Sequence, residues 1–561
     1  MNNISKALIR SYKEEPGKAA IYLQQAGKED LTITYNQLVE DSTPYVQAFQ
    51  ELGIEPGKVI ILILQHGKDL LNAYFGSILA GIVPSIMPFL TEKLQPERYR
   101  TDLSSLISIT KPDVIITYPE FQNEVREVVK KGEGVKALLT TKEINQWEKS
   151  HLKMYPGSKR RPEDIVLLQH SSGTTGLQKG VALSHQAIFN QLESYNKALK
   201  VSKDDVIVSW LPLYHDMGLI AGFLMPIIQR IPLVLMSPFD WVRAPQRLLN
   251  AISEYKGTLC WLPNFAYNFC AKKIRDRHIQ GIDLSSLRAV INCSEPMHYK
   301  SHELFYNRFK DVGFKKEALT TCYAMAENVF AVTQGGIESH VIVDEINRKM
   351  FQQENIAQPT SINSQSIKML SAGKPIENVM VRIISNKGKY LPDRHIGEII
   401  IKSNCMLTGY YHRPEETEIS FVNGWFRTGD LGYLANGELF ISGRKKDLII
   451  VGGKNIYPQD LETLAMEVYD VHAGRVVAFG VFNENFGTEE VIIVAEIDND
   501  CETDKKQIDA EIRRVVSRGS AVILKNVHLV GKKWLIKTSS GKIARAANKE
   551  KYLLEVKNES Y

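Results

Sequence analysis

From residue 33 to about 335, short apolar or β-branched runs alternate with amphipathic segments of helical length, a pattern that predicts parallel sheets covered by helices. A first block places buried strands at 59–64 and 114–118. A second places them at 165–169, 206–210, 233–236, 258–262 and 289–292. Ile188, Leu192, Tyr195 and Leu199 recur at three- and four-residue steps and predict a helix over 184–199, whose first turn Ser184 can cap.

Between about 375 and 443 the texture changes. Strands shorten, and Asn386-Lys387-Gly388, Asn423-Gly424 and Asn436-Gly437 mark tight turns of a small antiparallel β unit. The basic run Arg444-Lys445-Lys446 follows. A last stretch of about 115 residues mixes helices at 459–469 and 505–516 with a hairpin at 476–497. The break at 443–447 is read as a boundary between a domain at 1–445 and one at 446–561. No repeat and no low-complexity tract interrupts this order.

Composition narrows the class. At 561 residues the chain allows three to four units of about 150 residues. With 44% hydrophobic and 24% charged residues it is neither fibrous, collagen-like nor disordered. Its net charge of +5 gives no field to hold nucleic acid without a local basic cluster interleaved with aromatics, and none is read. Six scattered cysteines (Cys260, Cys270, Cys293, Cys322, Cys405, Cys501) form no C-x-x-C pair and have no histidine at zinc spacing, which favours reduced thiols in a cytoplasm. The polar N-terminus lacks the apolar run of a secretory signal. The most apolar segments, 59–64, 76–90 and 222–236, fall short of the ~20 residues that cross a bilayer, so no transmembrane segment is expected.

Chemistry concentrates first in Ser171-Ser172-Gly173-Thr174-Thr175-Gly176-Leu177-Gln178-Lys179-Gly180, after an apolar strand and before an expected helix. Its glycines let the backbone approach a phosphate chain, and its hydroxyls and Lys179 can contact the oxygens. It is not the GxxxxGK[ST] loop, because Gln178 precedes Lys179, which weakens kinase and GTPase readings. A flexible surface loop has the same composition. Four more segments follow in order: Tyr323-Ala324-Met325-Ala326-Glu327, Thr428-Gly429-Asp430, Gly443-Arg444-Lys445-Lys446-Asp447 and Thr538-Ser539-Ser540-Gly541-Lys542. Singly, each reads equally as a packed tyrosine, a solvated glutamate, a turn aspartate or a surface lysine.

Together, over more than 370 residues, the five segments resemble the adenylate-forming superfamily of acyl-CoA synthetases, peptide-synthetase adenylation domains and luciferases. The resemblance implies an α/β fold: a large N-terminal domain of two α/β subdomains plus a small β-barrel-like subdomain, and a small mobile α+β C-terminal domain. It implies that Ser171, Ser172, Gly173, Thr174, Thr175, Gly176 and Lys179 hold the phosphates of ATP. It also implies that Tyr323, Ala324 and Met325 lie at the adenine, Asp430 and Arg444 at the ribose, and Lys446 at the pivot. Glu327 and Thr174 would hold Mg²⁺, and Lys542 would be the catalytic lysine. In the implied reaction a carboxylate attacks the α-phosphate, so two anions must meet, and a cation placed between them lowers the barrier.

Further segments resemble the fatty acyl-AMP ligase branch, so that the resemblance covers essentially the whole chain. They are Trp210-Leu211-Pro212-Leu213-Tyr214-His215-Asp216-Met217-Gly218-Leu219, Pro263-Asn264-Phe265-Ala266-Tyr267, Asp283-Leu284-Ser285-Ser286-Leu287-Arg288, Ser294-Glu295-Pro296 and Asn455-Ile456-Tyr457-Pro458-Gln459-Asp460-Leu461-Glu462. Residues 336–372 are similar to an inserted segment that anchors the small domain and disfavours CoA in that branch; a surface loop is the other reading. His215 is implied at the acyl entrance as a catalytic residue, or else is a hydrogen-bonded structural histidine. Asp216 lies where amino-acid activators bind an amino group, although the fatty acyl branch shares His-Asp-Met-Gly. Two departures stand out: Asn328-Val329-Phe330 places bulk beside Glu327 where the branch has small residues, and Ile536-Lys537 stands where the branch tends to have proline. The expected activity joins a medium- or long-chain fatty acid to AMP from Mg-ATP and passes the acyl group in trans to the phosphopantetheine thiol of an acyl carrier protein. The alternatives are a long-chain fatty acyl-CoA synthetase, an amino-acid adenylating enzyme and a catalytically silent binding homologue.

Overall fold

Runs without a polar break become strands buried on both faces, as parallel sheets require. Val59–Ile63 is buried at every position and lies between the parallel strands Val83–Ile86 and Val114–Thr117. The computed structural model describes residues 3–90, 96–129, 134–149, 154–171, 179–361, 366–451, 454–484, 488–497, 504–520, 522–538 and 541–559. Among these, one sheet has seven strands in the order Gly409–Tyr410, Lys179–Ser184, Ile165–Ser171, Val83–Ile86, Val59–Ile63, Val114–Thr117 and Ala137–Thr140. A second has nine, with Leu319–Ala324, Ala289–Asn292, Leu259–Leu262, Ile207–Ser209 and Leu233–Leu235 as its parallel centre. One large core runs between both sheets, and the seven-stranded sheet buries a second cluster, with Ile61, Ile63 and Ile115 against Leu103, Ile107 and Val125, on its other face.

The third unit is antiparallel, as its turn residues predict. Val422 meets Trp425 across Asn423 and Gly424 (φ 52° and 76°), and Ala435 meets Glu438 across Asn436 and Gly437 (φ 55° and 78°). Both central residues of each turn therefore have positive φ, the hairpin geometry that Asn-Gly favours. Beyond it, Val471–Asn483, Thr488–Ile497 and Leu524–Val530 form a small sheet that packs on Pro458–Ala465 and Lys505–Ser520 around a separate core of Leu461, Val476, Ile493 and Ile512.

One expectation changes. The loop after Ile165–Ser171 closes an antiparallel hairpin with Lys179–Ser184 and does not enter a helix directly. The buried run from Gly180 to Ser184 supplies an extra strand, and the helix His185–Leu199 begins only after it, with Ser184 Oγ accepting from the Ala187 N–H at 3.1 Å. Residues 336–372 are no detached loop. Within them Val343–Asn347 pairs antiparallel with Ser366–Leu370, Phe351 packs 5.2 Å from the ring of Tyr457, and Asn355 Oδ1 accepts from Asn455 Nδ2 at 2.9 Å. The segment thus grips the start of the small unit.

Five cysteines (Cys260, Cys270, Cys293, Cys322, Cys405) are buried free thiols, and Cys501 lies outside the described residues. No described helix is long and apolar enough to cross a membrane.

Two charged clusters brace individual units. Asp205, 1% exposed, accepts from both Arg288 Nη1 (2.6 and 2.9 Å) and Thr258 Oγ1 (2.7 Å). Glu398 takes Arg427 in a forked pair and Lys445 at 3.1 Å. Arg288→Met leaves Asp205 buried without its cation, so it is expected to destabilise the large unit by about 3–5 kcal/mol, read from the denaturant midpoint. Burial opposes ionisation of Glu398, but Arg427 and Lys445 outweigh it and hold the carboxyl below its ordinary value. Its stabilising contribution is therefore complete above the unfolded-chain value of about 4.3 and is lost as pH falls through the lowered folded value. Glu398→Gln should lower stability at neutral pH and flatten that acid limb in unfolding curves recorded from pH 7 to 3.

Candidate active site

Asp430 lies on the antiparallel strand Trp425–Ala435, opposite Arg444 on Glu438–Arg444. It is 7% exposed, and both its oxygens are engaged: Tyr323 Oη donates to Oδ2 at 2.6 Å and Arg444 Nε to Oδ1 at 2.9 Å. Burial first, then Asp430, pushes the Tyr323 phenol far above its ordinary value, and Asp430 raises that of Arg444. Tyr323 ends a strand of the nine-stranded sheet, so this contact joins two units.

Four residues on, Glu327 is partly buried, and burial lifts its carboxyl above the ordinary range. Oε1 accepts from Tyr410 Oη at 3.0 Å, and its carbonyl accepts from the Leu407 N–H at 2.8 Å. The bulky residues after Glu327 do not crowd it, contrary to expectation. A three-residue turn closed by the Phe330 N–H on Asn328 O (2.6 Å) directs Asn328, Val329 and Phe330 into the core, where Phe330 meets Tyr195 at 5.5 Å. Val329 sits at φ 62°, ψ −53°, rare for a β-branched residue and worth about 1–3 kcal/mol of strain, which the bonds of Asn328 Nδ2 to Ala331 O and of Met325 N–H to Phe330 O maintain.

A second group faces this one. His215 Nδ1 lies 2.7 Å from Asp216 Oδ1, and the Met217 N–H donates to the same oxygen at 2.7 Å. Burial opposes the charge on Asp216, but His215 and Lys542 outweigh it and hold the carboxyl below its ordinary value. Glu295 accepts from the Phe265 N–H at 3.0 Å; burial raises its carboxyl, and Lys542, Lys537 and His215 draw it back. Lys542 of the small unit therefore lies within electrostatic reach of two carboxylates of the large one. A short hairpin presents it: Lys537 bridges Ile543, the Thr538 N–H donates to Lys542 O (2.7 Å), and Gly541 (φ 85°) makes the turn. Arg545, three residues on, is clamped to Asp447 (2.7 Å), Glu462 (2.6 Å) and the Ala478 carbonyl (2.9 Å).

The structure thus gathers Tyr323, Ala324, Met325, Glu327, Asp430 and Arg444 on one side and His215 with Lys542 on the other. Lys446 lies beside Arg444, where burial first and Arg444 next hold its ammonium below the ordinary value. Lys179 places Nζ 4.6 Å over the Tyr410 ring. Ser171 pairs through its backbone with Lys179, whereas Ser172, Gly173, Thr174, Thr175 and Gly176 lie outside the described residues. Sequence reasoning did not single out Glu295, Tyr410 and Arg545; Glu295 alone carried a signal, next to proline in a quoted segment.

Residues 8–411 match the family described as AMP-binding enzyme. The medium-chain fatty acid–[acyl-carrier-protein] ligase JamA of Moorena producens is 30% identical over 474 residues, covering 80% of this chain and 78% of JamA. The 4-hydroxyphenylalkanoate adenylyltransferase of Mycobacterium bovis is 28% identical over 483 residues, covering 80% and 76%. A structure from a study of fatty acyl-adenylate ligases of E. coli and L. pneumophila superposes with a TM-score of 0.91 at 25% identity, covering 99% of this chain and 98% of that one. The fatty acid AMP ligase of Legionella pneumophila gives 0.74 at 30% identity, covering 99% and 96%. This chain belongs to the AMP-binding enzyme family, among its fatty acyl-AMP and fatty acyl-CoA ligases.

Proposed function

We propose that the chain is a fatty acyl-AMP ligase that makes acyl-adenylate and pyrophosphate from a medium- or long-chain fatty acid and Mg-ATP, then passes the acyl group in trans to the phosphopantetheine thiol of an acyl carrier protein. The observation that carries this reading is the cluster of Tyr323, Asp430 and Arg444, joined by hydrogen bonds of 2.6 and 2.9 Å, with Lys542 of the small unit within electrostatic reach of Asp216 and Glu295. In this reading Tyr323, Ala324 and Met325 border the adenine, and Asp430 and Arg444 take the ribose. Lys179 and the loop from Ser171 to Gly176 cradle the phosphates. We propose the domain boundary at residue 446, with Lys446 at the pivot.

Lys542 would stand between the incoming carboxylate and the α-phosphate. An ammonium fixed there stabilises charge that builds in the transition state and needs no reorganisation. Its hairpin is held within the small domain by Arg545, so the lysine and the hinge residue Asp447 move as one body. Glu327 suits a magnesium ion, being a partly buried carboxylate with one oxygen fixed on Tyr410, and the Thr174 hydroxyl would be a second oxygen donor. Mg²⁺ bound there would neutralise phosphate charge.

Two observations favour an acyl chain over an amino acid. His215 already occupies the Asp216 carboxylate, and the helical turns that follow, Met217–Leu224, are wholly buried and apolar. The grip of residues 336–372 on Tyr457 and Asn455 supports a carrier over CoA as acceptor, because it restrains rotation of the small domain.

Lys542→Ala should slow pyrophosphate release by about 10²- to 10³-fold, the scale of losing one fixed transition-state donor; an unchanged rate would remove this lysine from the chemistry. Incubation with laurate, ATP and either CoA or a pantetheinylated carrier protein tests the acceptor. Acyl-AMP, trapped as hydroxamate, should accumulate with CoA and be consumed with the carrier, whereas rapid stoichiometric acyl-CoA would sink the ligase reading in favour of a synthetase.

A further inference from the structure

Tyr410 touches both the lysine of the phosphate loop and the carboxylate suited to magnesium. Its ring carries Lys179 Nζ at 4.6 Å, and its hydroxyl donates to Glu327 Oε1 at 3.0 Å. The backbone around it is stitched to both partners. The Thr408 N–H donates to Ala182 O at 2.9 Å and the Tyr411 N–H to Gly180 O at 2.8 Å, both on the strand that begins at Lys179. The Leu407 N–H donates to Glu327 O at 2.8 Å. Thr417 Oγ1 caps the Tyr410 N–H at 2.9 Å. Residues 407–411 thus form a strut between the two walls of the site, and Tyr410, 8% exposed, fills the space between them.

We propose that Tyr410 is a positioning residue that sets the distance between the Lys179 ammonium and the Glu327 carboxylate. Its two contacts are chemically separable. The ring face attracts the ammonium and keeps it from collapsing onto the neighbouring carboxylate, so that the charge remains available to phosphate oxygens. The phenol fixes one carboxylate oxygen, so that the group meets a cation already oriented. A tyrosine does both where phenylalanine does only the first. The proposal rests on the reading of Lys179 and Glu327 given above.

The test compares the full-length wild type with Tyr410→Phe and Tyr410→Leu. Calorimetry measures ATP affinity at fixed Mg²⁺ and the Mg²⁺ concentration that half-restores ATP binding; pyrophosphate release gives kcat and KM. Tyr410→Phe should leave ATP affinity and KM at saturating Mg²⁺ within about twofold, raise the half-restoring Mg²⁺ concentration about tenfold and lower kcat by a similar factor, the scale of one hydrogen bond to a charged group. Tyr410→Leu should add a loss of about fivefold in ATP affinity, the scale of a cation–π contact. A Tyr410→Phe enzyme that matches the wild type in Mg²⁺ dependence overturns the proposal, as does one that loses as much ATP affinity as Tyr410→Leu. Should Tyr410→Leu fail to fold, Tyr410→Phe alone decides. A wild type that binds no Mg-ATP overturns the functional reading and this proposal together, whereas a wild type that binds it beside a silent Tyr410→Phe overturns this proposal alone.

Discussion

The buried carboxylate of Asp430 is the point on which the arrangement of units depends. A charge that is 7% exposed must be paired, and its two partners come from different places: Tyr323 from the end of a parallel strand and Arg444 from the end of the antiparallel strand Glu438–Arg444. Removing either partner leaves a buried charge partly uncompensated, so the contact resists separation of the antiparallel unit from the nine-stranded sheet. In the proposed reading the same three residues border the nucleoside, Tyr323 at the adenine and Asp430 and Arg444 at the ribose, so stability and recognition would draw on one set of hydrogen bonds.

The small unit is organised differently. Its own charged centre, Arg545 with Asp447 and Glu462, lies inside it, whereas its described links to the large unit include Tyr457, buried in one apolar cluster with Phe351, Tyr433 and Phe440, Asn455 on Asn355, Gln459 Nε2 donating to the Ser442 carbonyl, and Lys300 with Glu467 at 2.6 Å. Lys300 is 78% exposed, so that last pair contributes little. The contacts with the large unit thus concentrate at residues 455–459, whereas the bracing by Arg545 is internal to the small unit and independent of them. Arg545 also ties the segment that follows Lys542 to Asp447 and Glu462.

Strands with no polar break were legible from their apolar runs, and the Asn-Gly turns from their dipeptides, because both signals are local. The extra strand Lys179–Ser184 was not, since three apolar residues, Val181, Ala182 and Leu183, next to a helix cap fit either element, and only the pairing with Ile165–Ser171 decides between them. At the site, the motif residues were legible as residue types in order. Their partners were not. Tyr410 reaches Glu327 across 83 positions, and Arg545 reaches Asp447 across 98, separations at which no periodicity operates. The turn at Val329 was misread for the converse reason: bulk in the sequence beside Glu327 suggested bulk in space, but a positive φ that β-branched residues seldom adopt sends those side chains the other way.

A net charge of +5 over 561 residues suggests no anion site, yet the structure concentrates cations where the average conceals them. Lys446 is depressed by burial and by Arg444, and Lys179 adds to the repulsion. Within the same small volume Asp430 binds Arg444, and Tyr410 rather than a carboxylate holds Lys179. The cluster is thus only partly neutralised by the protein. Like charges gathered near one another cost free energy that a polyanion placed among them would recover, and a triphosphate has the sign of charge that this cluster leaves unpaired.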